Sequence, residues 1–583
     1  MKKQPATGKN AGPKNAGPET RWTGKNAGLT LALVVLGFAI YWRSLWGPFL
    51  FDDTDILEAG GSVRGQNWGL LLTSPRLLLI LSYALHYWFA GGFNPLHFHV
   101  VNVLLHVANA LILWQLLKRV SAAVGRLAVW FLPLLFLTSP VETESVAYIS
   151  SRSEVLAATF YLLALLVFVS SWREQRPWTT ALLIAFLFGC SVTSKQHGLT
   201  LPGALLLVDY FFLARRDWRQ MKRNWRVYAV LGAVMVAGAW LVVVPVLRAP
   251  TAGFGLRITP QVYLFTQFRM YFLYLRLLAV PFPLNADYDI ARSYSLLDHG
   301  SWLALAGTLL LLGAAFHWRS RFPAASFGVL FYFLALFPTS SFYPLVDFAA
   351  ERRLYLPSIG FFLAALTLLE SRWPGRRGLT AALAGVVVVY AAGTHERNRV
   401  WQDPLALWLD TSEKSPGKWR VWTWLGREYS LRKQFTQATA AYQRAAELVR
   451  PQTAEHAEVL SSLGSTYANR GLYAEAAGIY RQALEFAPGV YNLWTNLAIA
   501  ELRLGRADGW KHFEKAMSIN GLAWEPHFGR GNIYYQIGCY DQAIQDYQRV
   551  LQLLPEHPDA RYNLEVARNT RQRRGESRQD CPQ

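Results

Sequence analysis

A chain of 583 residues that is 52% hydrophobic, with 23 Trp and a positive mean hydropathy, is too apolar for a set of ordinary soluble domains. Its formal charge of +20 could point to nucleic acid, but the Arg and Lys sit in short loops between apolar runs. Membrane topology accounts for them there, so nucleic acid is not expected as a partner. Three cysteines, Cys190, Cys539 and Cys581, show neither paired spacing nor a C-x-x-C, which argues against a disulfide framework, a zinc site and redox chemistry.

Residues 1–28 are basic, rich in Gly and Pro, and contain the near-repeats GKNAGP, PKNAGP and GKNAG, the composition of a disordered tail. They lack the apolar core and small-residue cleavage site of a signal peptide, so the first span is expected to be retained. Residues 29–394 carry about eleven bilayer-length apolar stretches: 29–46, 97–117, 124–139, 153–171, 178–194, 198–213, 227–247, 301–316, 324–338, 353–369 and 379–394. The apolar pieces 77–90 and 262–283 are read as helices lying at the outer interface, rich in Tyr, Phe and Arg.

Positive charge follows alternate spans: Lys118, Arg119 and Arg126, then Arg173 and Arg176, Arg215 through Arg226, Arg319 and Arg321, and Arg372, Arg376 and Arg377. With the basic N-terminus, these loops are expected to face the cytoplasm. The others face outward: the DDTD stretch, SPVETESVAYISSRSE, TSKQHGLT, 248–300, and SSFYPLVDFAAERRLYLPS. An odd number of spans then puts everything after residue 395 outside the cytoplasm.

A linker over 395–418 precedes a recurring pattern over 419–560. Trp422, Leu425, Gly426, Tyr429, Ala438, Tyr442 and Ala445 form the first copy, and Leu463, Gly464, Tyr467, Ala476, Tyr480, Ala483 and Pro488 the second. A degenerate third runs from Trp494 and Leu497 to Phe513 and Ala516, and a fourth through Gly531, Tyr534, Ala543, Tyr547 and Pro555. This is tetratricopeptide spacing, in which small residues let two helices approach, aromatics fill the gap and proline ends the second helix. Residues 561–583 are a polar tail. Arrays of this kind grip peptides or proteins on their concave face and leave catalysis to other elements.

Acids cluster at the outward loops, with Asp52, Asp53 and Asp55 after the first span and Glu142 and Glu144 after another, followed by Arg152 and Glu154. A carboxylate there can act as general base on an acceptor hydroxyl or orient one. Lys195, Arg269, Arg276, Arg352 and Arg353 supply cations on the same side, the countercharge a phosphate ester at a membrane surface needs. For Arg269 and Arg276, snorkelling to lipid phosphate is the plainer reading. His97, His99 and His106 run into a span without a companion acid at ligand spacing, so no metal is assigned to them. Asp287 and Asp289 are expected to shape an ordered outer loop beside the donor.

Six segments in order, FDDTDIL, the stretch LSYALHYWFAGGFNPLHFHVVNVLLHVANALIL, SPVETESVAYISSRSEVLAATFYLLAL, SKQHGLTLPGALLLVDYF, AERRLYLPSIGFF and RNRVWQDPLALW before the repeats, resemble the transmembrane and tetratricopeptide-repeat O-mannosyltransferases, GT-C superfamily membrane glycosyltransferases. The resemblance covers residues 29 to 560. It implies an all-α fold, a polytopic GT-C-type transmembrane bundle followed by a repeat α-solenoid, in which Asp52 or Asp53 is the catalytic base, Glu142 or Glu144 a supporting acid, and Lys195, Arg352 and Arg353 contact the donor phosphate. It further implies transfer of a hexose, mannose above others, from a polyprenyl phosphate carrier to hydroxyls of secreted or envelope proteins. The short basic tail and simple repeats suggest a bacterial member, which would sit in the inner (cytoplasmic) membrane with periplasmic repeats. No cofactor is called for with certainty, and a divalent metal is left open.

On this reading the repeats present the protein acceptor. A rival has Trp401, Leu405 and Trp408 docking the array rigidly. A non-catalytic membrane-anchored scaffold for envelope assembly is the competing function, and a transporter a weaker third, because no mid-span charge relay is evident.

Overall fold

In a computed structural model, residues 24–51, 53, 63, 69, 74, 76–172, 177–238, 258–574 and 580–582 are described. Asp52, Asp55, the first 23 residues and the end of the expected span 227–247 lie outside them. The described residues are helical and contain no strand. Five helices are long and apolar enough to cross a membrane: Pro95–Arg119, Ser121–Thr138, Ile149–Ser171, Asp298–Ser320 and Arg377–Trp401. Four shorter apolar helices, Thr30–Tyr41, Leu77–Ala90, Trp178–Val192 and Pro323–Leu336, add to these. The expected span 198–213 is broken into the turn Gln196–Thr200, the helix Leu201–Val208 and a π-type turn at Asp209–Leu213, where Asp209 accepts from Asn224 and Tyr228.

The chain divides into two compact units: residues 1–248, 306–339 and 352–398 form one, and 249–305, 340–351 and 399–583 the other. In the first, the helix Pro95–Arg119 carries a polar stripe, Asn102, His106 and Asn109, spaced to share one helix face. Every member is buried and paired: Asn102 donates to the Val146 carbonyl at 3.3 Å, Asn109 to that of Val155 at 2.9 Å, and His106 Nδ1 meets the Tyr355 hydroxyl at 2.7 Å. His99 meets the Gly47 carbonyl at 3.1 Å. A polar side chain in an apolar span must find such partners, so this stripe holds the 146–155 segment and Tyr355 in register.

Two glycines set another contact. Gly328 and Gly360 face each other across the helices Pro323–Leu336 and Pro357–Arg372, and a β-carbon on either would run into the other's carbonyl oxygen. Small residues allow this backbone approach, which larger side chains would forbid.

In the second unit, the helix Pro404–Lys414 leads into paired helices: Trp419–Leu431 with Phe435–Leu448, Ala454–Asn469 with Tyr473–Phe486, Tyr491–Arg503 with Asp508–Ile519, and Glu525–Gln536 with Tyr540–Leu553. The recurring glycine has one job in three of the pairs: Gly426, Gly464 and Gly531 lie against the rings of Tyr442, Tyr480 and Tyr547. In the third pair Phe513 is the buried aromatic, and Ala498 stands where the other copies have glycine, which is why the pattern looks degenerate there. Trp408 stacks on Trp424 with ring centroids 5.7 Å apart, so the helix Pro404–Lys414, inside the expected linker, is packed on the first pair.

The same unit holds residues 280–298. Asp287 forms ion pairs with Lys418 and Arg420, the latter at 2.8 Å, and Arg420 also pairs with Asp347. Asn285 donates to the Ser415 hydroxyl at 2.8 Å. Asp287, expected to shape a donor loop, is thus engaged by the first repeat helix.

The cysteine expectation is corrected here. Cys539 and Cys581 form a disulfide across 42 residues, because the helix Pro558–Arg574 runs back along the last pair and returns the tail to it. The Tyr534 hydroxyl donates to the Pro582 carbonyl at 2.9 Å on the same return. Spacing along the chain hides a pair that an antiparallel helix brings together. Cys581→Ser should therefore lower the stability of the C-terminal end of the array by about 2–4 kcal/mol, the usual worth of closing a loop of this length. Thermal unfolding of the full chain checks it: the variant and the reduced parent should melt alike, both below the oxidised parent.

Candidate functional site

Within the first unit, four pieces of chain meet around the segment 139–154. The helix Ser121–Thr138 ends at Ser139, Pro140 starts a short turn, and a one-turn helix at Thr143–Ala147 leads to the helix Arg152–Ser171. This stretch is buried almost throughout, so its polar groups depend on partners from the rest of the unit.

Asp53 is one of those partners. Its carboxylate is buried and accepts from the Leu50 amide at 2.9 Å, the Ser150 amide at 2.8 Å and the Ser150 hydroxyl. One turn along from Ser150, the Ser153 hydroxyl lies 3.4 Å from the Lys195 ammonium, which also pairs with Glu154 at 2.9 Å. His197 takes the other oxygen of Glu154 at 2.8 Å. The acidic first loop and the Lys195 loop thus converge on two serines one helical turn apart.

Arg352 enters from a third side. Glu144 accepts from its backbone amide at 2.9 Å and forms an ion pair with its guanidinium. The Glu144 carboxylate therefore fixes the turn that carries Arg352. Arg353 donates to the Thr339 carbonyl at 3.4 Å.

The electrostatics reflect a concentration of cations. Burial is the main reason the Lys195 ammonium is pulled down to about 8; Glu154 opposes this, while Arg76 and Arg352 push it further down. Glu142 is the other acid of this turn. It is fully buried, and burial pushes its carboxyl well above the usual carboxylate range, against the Ser358 hydroxyl and with help from Glu154.

Arg152 is the largest fully buried side chain here. Its guanidinium donates to Asn102 Oδ1 at 2.8 Å and the Phe98 carbonyl at 3.0 Å, between the rings of Tyr83 and Phe98. It holds the base of the site.

Asp53, Glu142, Glu144, Lys195 and Arg352 are thus gathered around one segment, and Asp52 lies outside the described residues. Sequence reasoning passed over Ser150, Ser153 and His197. Serines at the start of a helix beside acidic and basic loops carried the only signal. Among the described residues no group of three His, Cys, Asp or Glu is placed to hold a metal ion.

Membrane-length apolar helices together with a helical-repeat array define an integral membrane protein carrying tetratricopeptide repeats, and tetratricopeptide-repeat models match residues 459–489 and 524–557. Protein O-mannosyl-transferase TMTC3 of Mus musculus is 24% identical over 92% of this chain and 65% of its own length, and Protein O-mannosyl-transferase F38B6.6 of Caenorhabditis elegans 26% identical over 69% and 60%. The chain is related to the transmembrane and tetratricopeptide-repeat protein O-mannosyl-transferases, as its motifs implied. It spans less than two thirds of the length of these relatives. Among solved structures, a tetratricopeptide-repeat protein of Thermus thermophilus aligns at a TM-score of 0.26 and 18% identity over 31% of this chain and 95% of that one, a score that carries no argument.

Proposed function

We propose that this chain is a membrane glycosyltransferase of the GT-C type that moves a hexose, mannose above others, from a polyprenyl phosphate carrier to Ser or Thr hydroxyls of proteins on the extracytoplasmic face. The observation that carries this reading is the convergence of the Asp53 loop, Lys195 and Arg352 on the 139–154 segment.

In the proposed step the acceptor oxygen attacks C1 of the sugar, the bond from C1 to the phosphate oxygen breaks, and the configuration inverts. The hydroxyl proton passes to a carboxylate of the first loop, and the carrier leaves as polyprenyl phosphate. Asp53 has both oxygens engaged, so its role is to hold the loop, and Asp52 is assigned the base. Lys195 and Arg352 stabilise the departing phosphate, Glu154 and Glu144 position them, and Arg353 braces the turn. The domain reading is a catalytic membrane region over 29–394, with the repeats over 419–560 serving the acceptor. A disulfide within the array supports an oxidising, extracytoplasmic setting for it. The loop charges support a cytoplasmic N-terminus, and placement in the inner membrane rests on the suggested bacterial origin.

The test is transfer of radiolabelled mannose from polyprenyl phosphate mannose to a Thr-containing peptide by the full chain in lipid nanodiscs. No transfer, and no hydrolysis of the donor, would remove the enzymatic reading in favour of a scaffold.

A pH dependence follows. With Lys195 at about 8, kcat/KM for the donor should fall as the pH rises through that value, because the free enzyme loses the charge that meets phosphate. Lys195→Arg should move the fall out of the measurable range, since guanidinium stays protonated. A profile flat to about pH 10 in the parent, near the ordinary lysine value, would show that Lys195 does not bear on the donor.

A further inference from the structure

Trp172 caps the C-terminal end of the helix Arg152–Ser171, and Trp178 stands in the first turn of the helix Pro177–Val192. Both indoles thus sit at the ends of apolar helices, the depth at which tryptophan meets lipid headgroups. A basic stretch of the same unit packs on them. After the short helix Trp218–Met221 the chain turns through Lys222–Asn224 into the helix Trp225–Gly238. Asp209 anchors that turn, because its Oδ2 accepts from Asn224 Nδ2 at 2.9 Å and from the Tyr228 hydroxyl at 2.6 Å, two groups four residues apart on one face. Arg223 and Arg226 fall on the far side of the turn. The Arg223 guanidinium lies 5.9 Å from the Trp172 ring, and that of Arg226 lies 5.4 Å from Trp178 and 5.6 Å from Trp225.

Trp178 and Trp225 meet edge to face with centroids 6.3 Å apart, and at 52% and 55% exposure both present a free ring surface. A guanidinium seated between two indoles is fixed in place and keeps its whole charge, since ring contact neutralises nothing. Among the described residues the guanidinium groups of Arg223 and Arg226 form no ion pair or hydrogen bond, and no carboxylate pairs with Arg219 or Lys222. The acids of this stretch are engaged otherwise, Asp209 by Asn224 and Tyr228, and Asp217 by the Arg219 backbone amide at 2.9 Å. Membrane topology accounts for the sign of these charges, but it leaves each side chain free to wander. An aromatic seat for two particular arginines is a further feature, and it is what a bound anion needs.

We propose that Arg223 and Arg226, with Trp172, Trp178 and Trp225, bind the headgroup of an anionic phospholipid. The two guanidinium forks take the phosphodiester, and the exposed faces of Trp178 and Trp225 lie along the glycerol and the start of the acyl chains. Arg219 and Lys222, both exposed, add to the field and set the preference: a zwitterionic lipid offers the same phosphate, but its ammonium is repelled by cations that have no countercharge. The site needs the membrane and not the reaction, so it stands apart from the function proposed above.

Native mass spectrometry of the full chain, released from detergent micelles, tests it by titrating dioleoyl phosphatidylglycerol against dioleoyl phosphatidylcholine, with inorganic phosphate as a competitor. The parent should bind the anionic lipid about tenfold more tightly than the zwitterionic one. The double variant Arg223→Gln/Arg226→Gln should lose that preference. Arg376→Gln/Arg377→Gln removes the same charge from another basic loop and should keep it. Arg226→Lys, which retains the charge and so its influence on insertion, should still weaken the anionic lipid severalfold, because an ammonium lacks the planar fork. Equal binding of the two lipids by the parent, equal losses in the two double variants, or parent-like binding by Arg226→Lys would overturn the proposal. Displacement of the lipid by inorganic phosphate alone would overturn it too, in favour of a simple ion site.

Discussion

Asp52→Asn should lower mannose transfer by about 10²–10⁴-fold while leaving insertion and folding intact, the loss expected when a general base is replaced by its neutral isostere. Asp53→Asn should behave differently. The Asp53 carboxylate accepts from the Leu50 and Ser150 amides and from the Ser150 hydroxyl, and an amide in its place can accept through only one atom. One buried amide then faces an NH₂ group, a cost of about 1–3 kcal/mol. The result should be a less stable protein whose donor KM rises as the loop loosens. Parallel measurement of kcat, KM and melting temperature for both variants separates the roles. A large fall in kcat for Asp53→Asn with unchanged melting, beside near-normal turnover by Asp52→Asn, would exchange the two assignments.

The second large effect concerns the network around Asp287. Asp287→Ala removes the carboxylate shared by Lys418 and Arg420, leaving Arg420 with Asp347 alone. Breaking a well-buried ion pair from one side costs about 3–5 kcal/mol. Lys418 and Arg420 are partly exposed and can turn to water, so about 2–3 kcal/mol is expected after that screening. Limited proteolysis should then cut the 280–298 segment and the start of the repeats faster in the variant. Asp289→Ala serves as the control, because the Asp289 contact with Ser415 is made by its backbone amide. If both variants resist proteolysis like the parent, the network is a surface contact and the array is not braced by it. This bracing bears on the choice between acceptor presentation and rigid docking, because Trp408 against Trp424 and Asp287 against Arg420 both fasten the start of the array.

Composition and periodicity determined the helical class, the bilayer-length runs and the repeat register, because each is a local rule. An apolar run needs only its own residues to be helical in lipid, and a repeat needs only the next copy to show its spacing. The polar stripe of Asn102, His106 and Asn109 was not singled out from the sequence, since the partners that give it meaning, Val146, Val155 and Tyr355, lie 44 to 249 positions away. The motifs also marked the acids and cations of the candidate site as a set. Tertiary structure alone sorted that set. Glu142 and Glu144 are two residues apart and both buried, yet only Glu144 is paired with Arg352, while burial pushes the Glu142 carboxyl up, and no rule of spacing separates them. The disulfide is the same lesson at longer range. Cys539 and Cys581 meet only because a terminal helix folds back, and the closeness of two side chains depends on the path of everything between them.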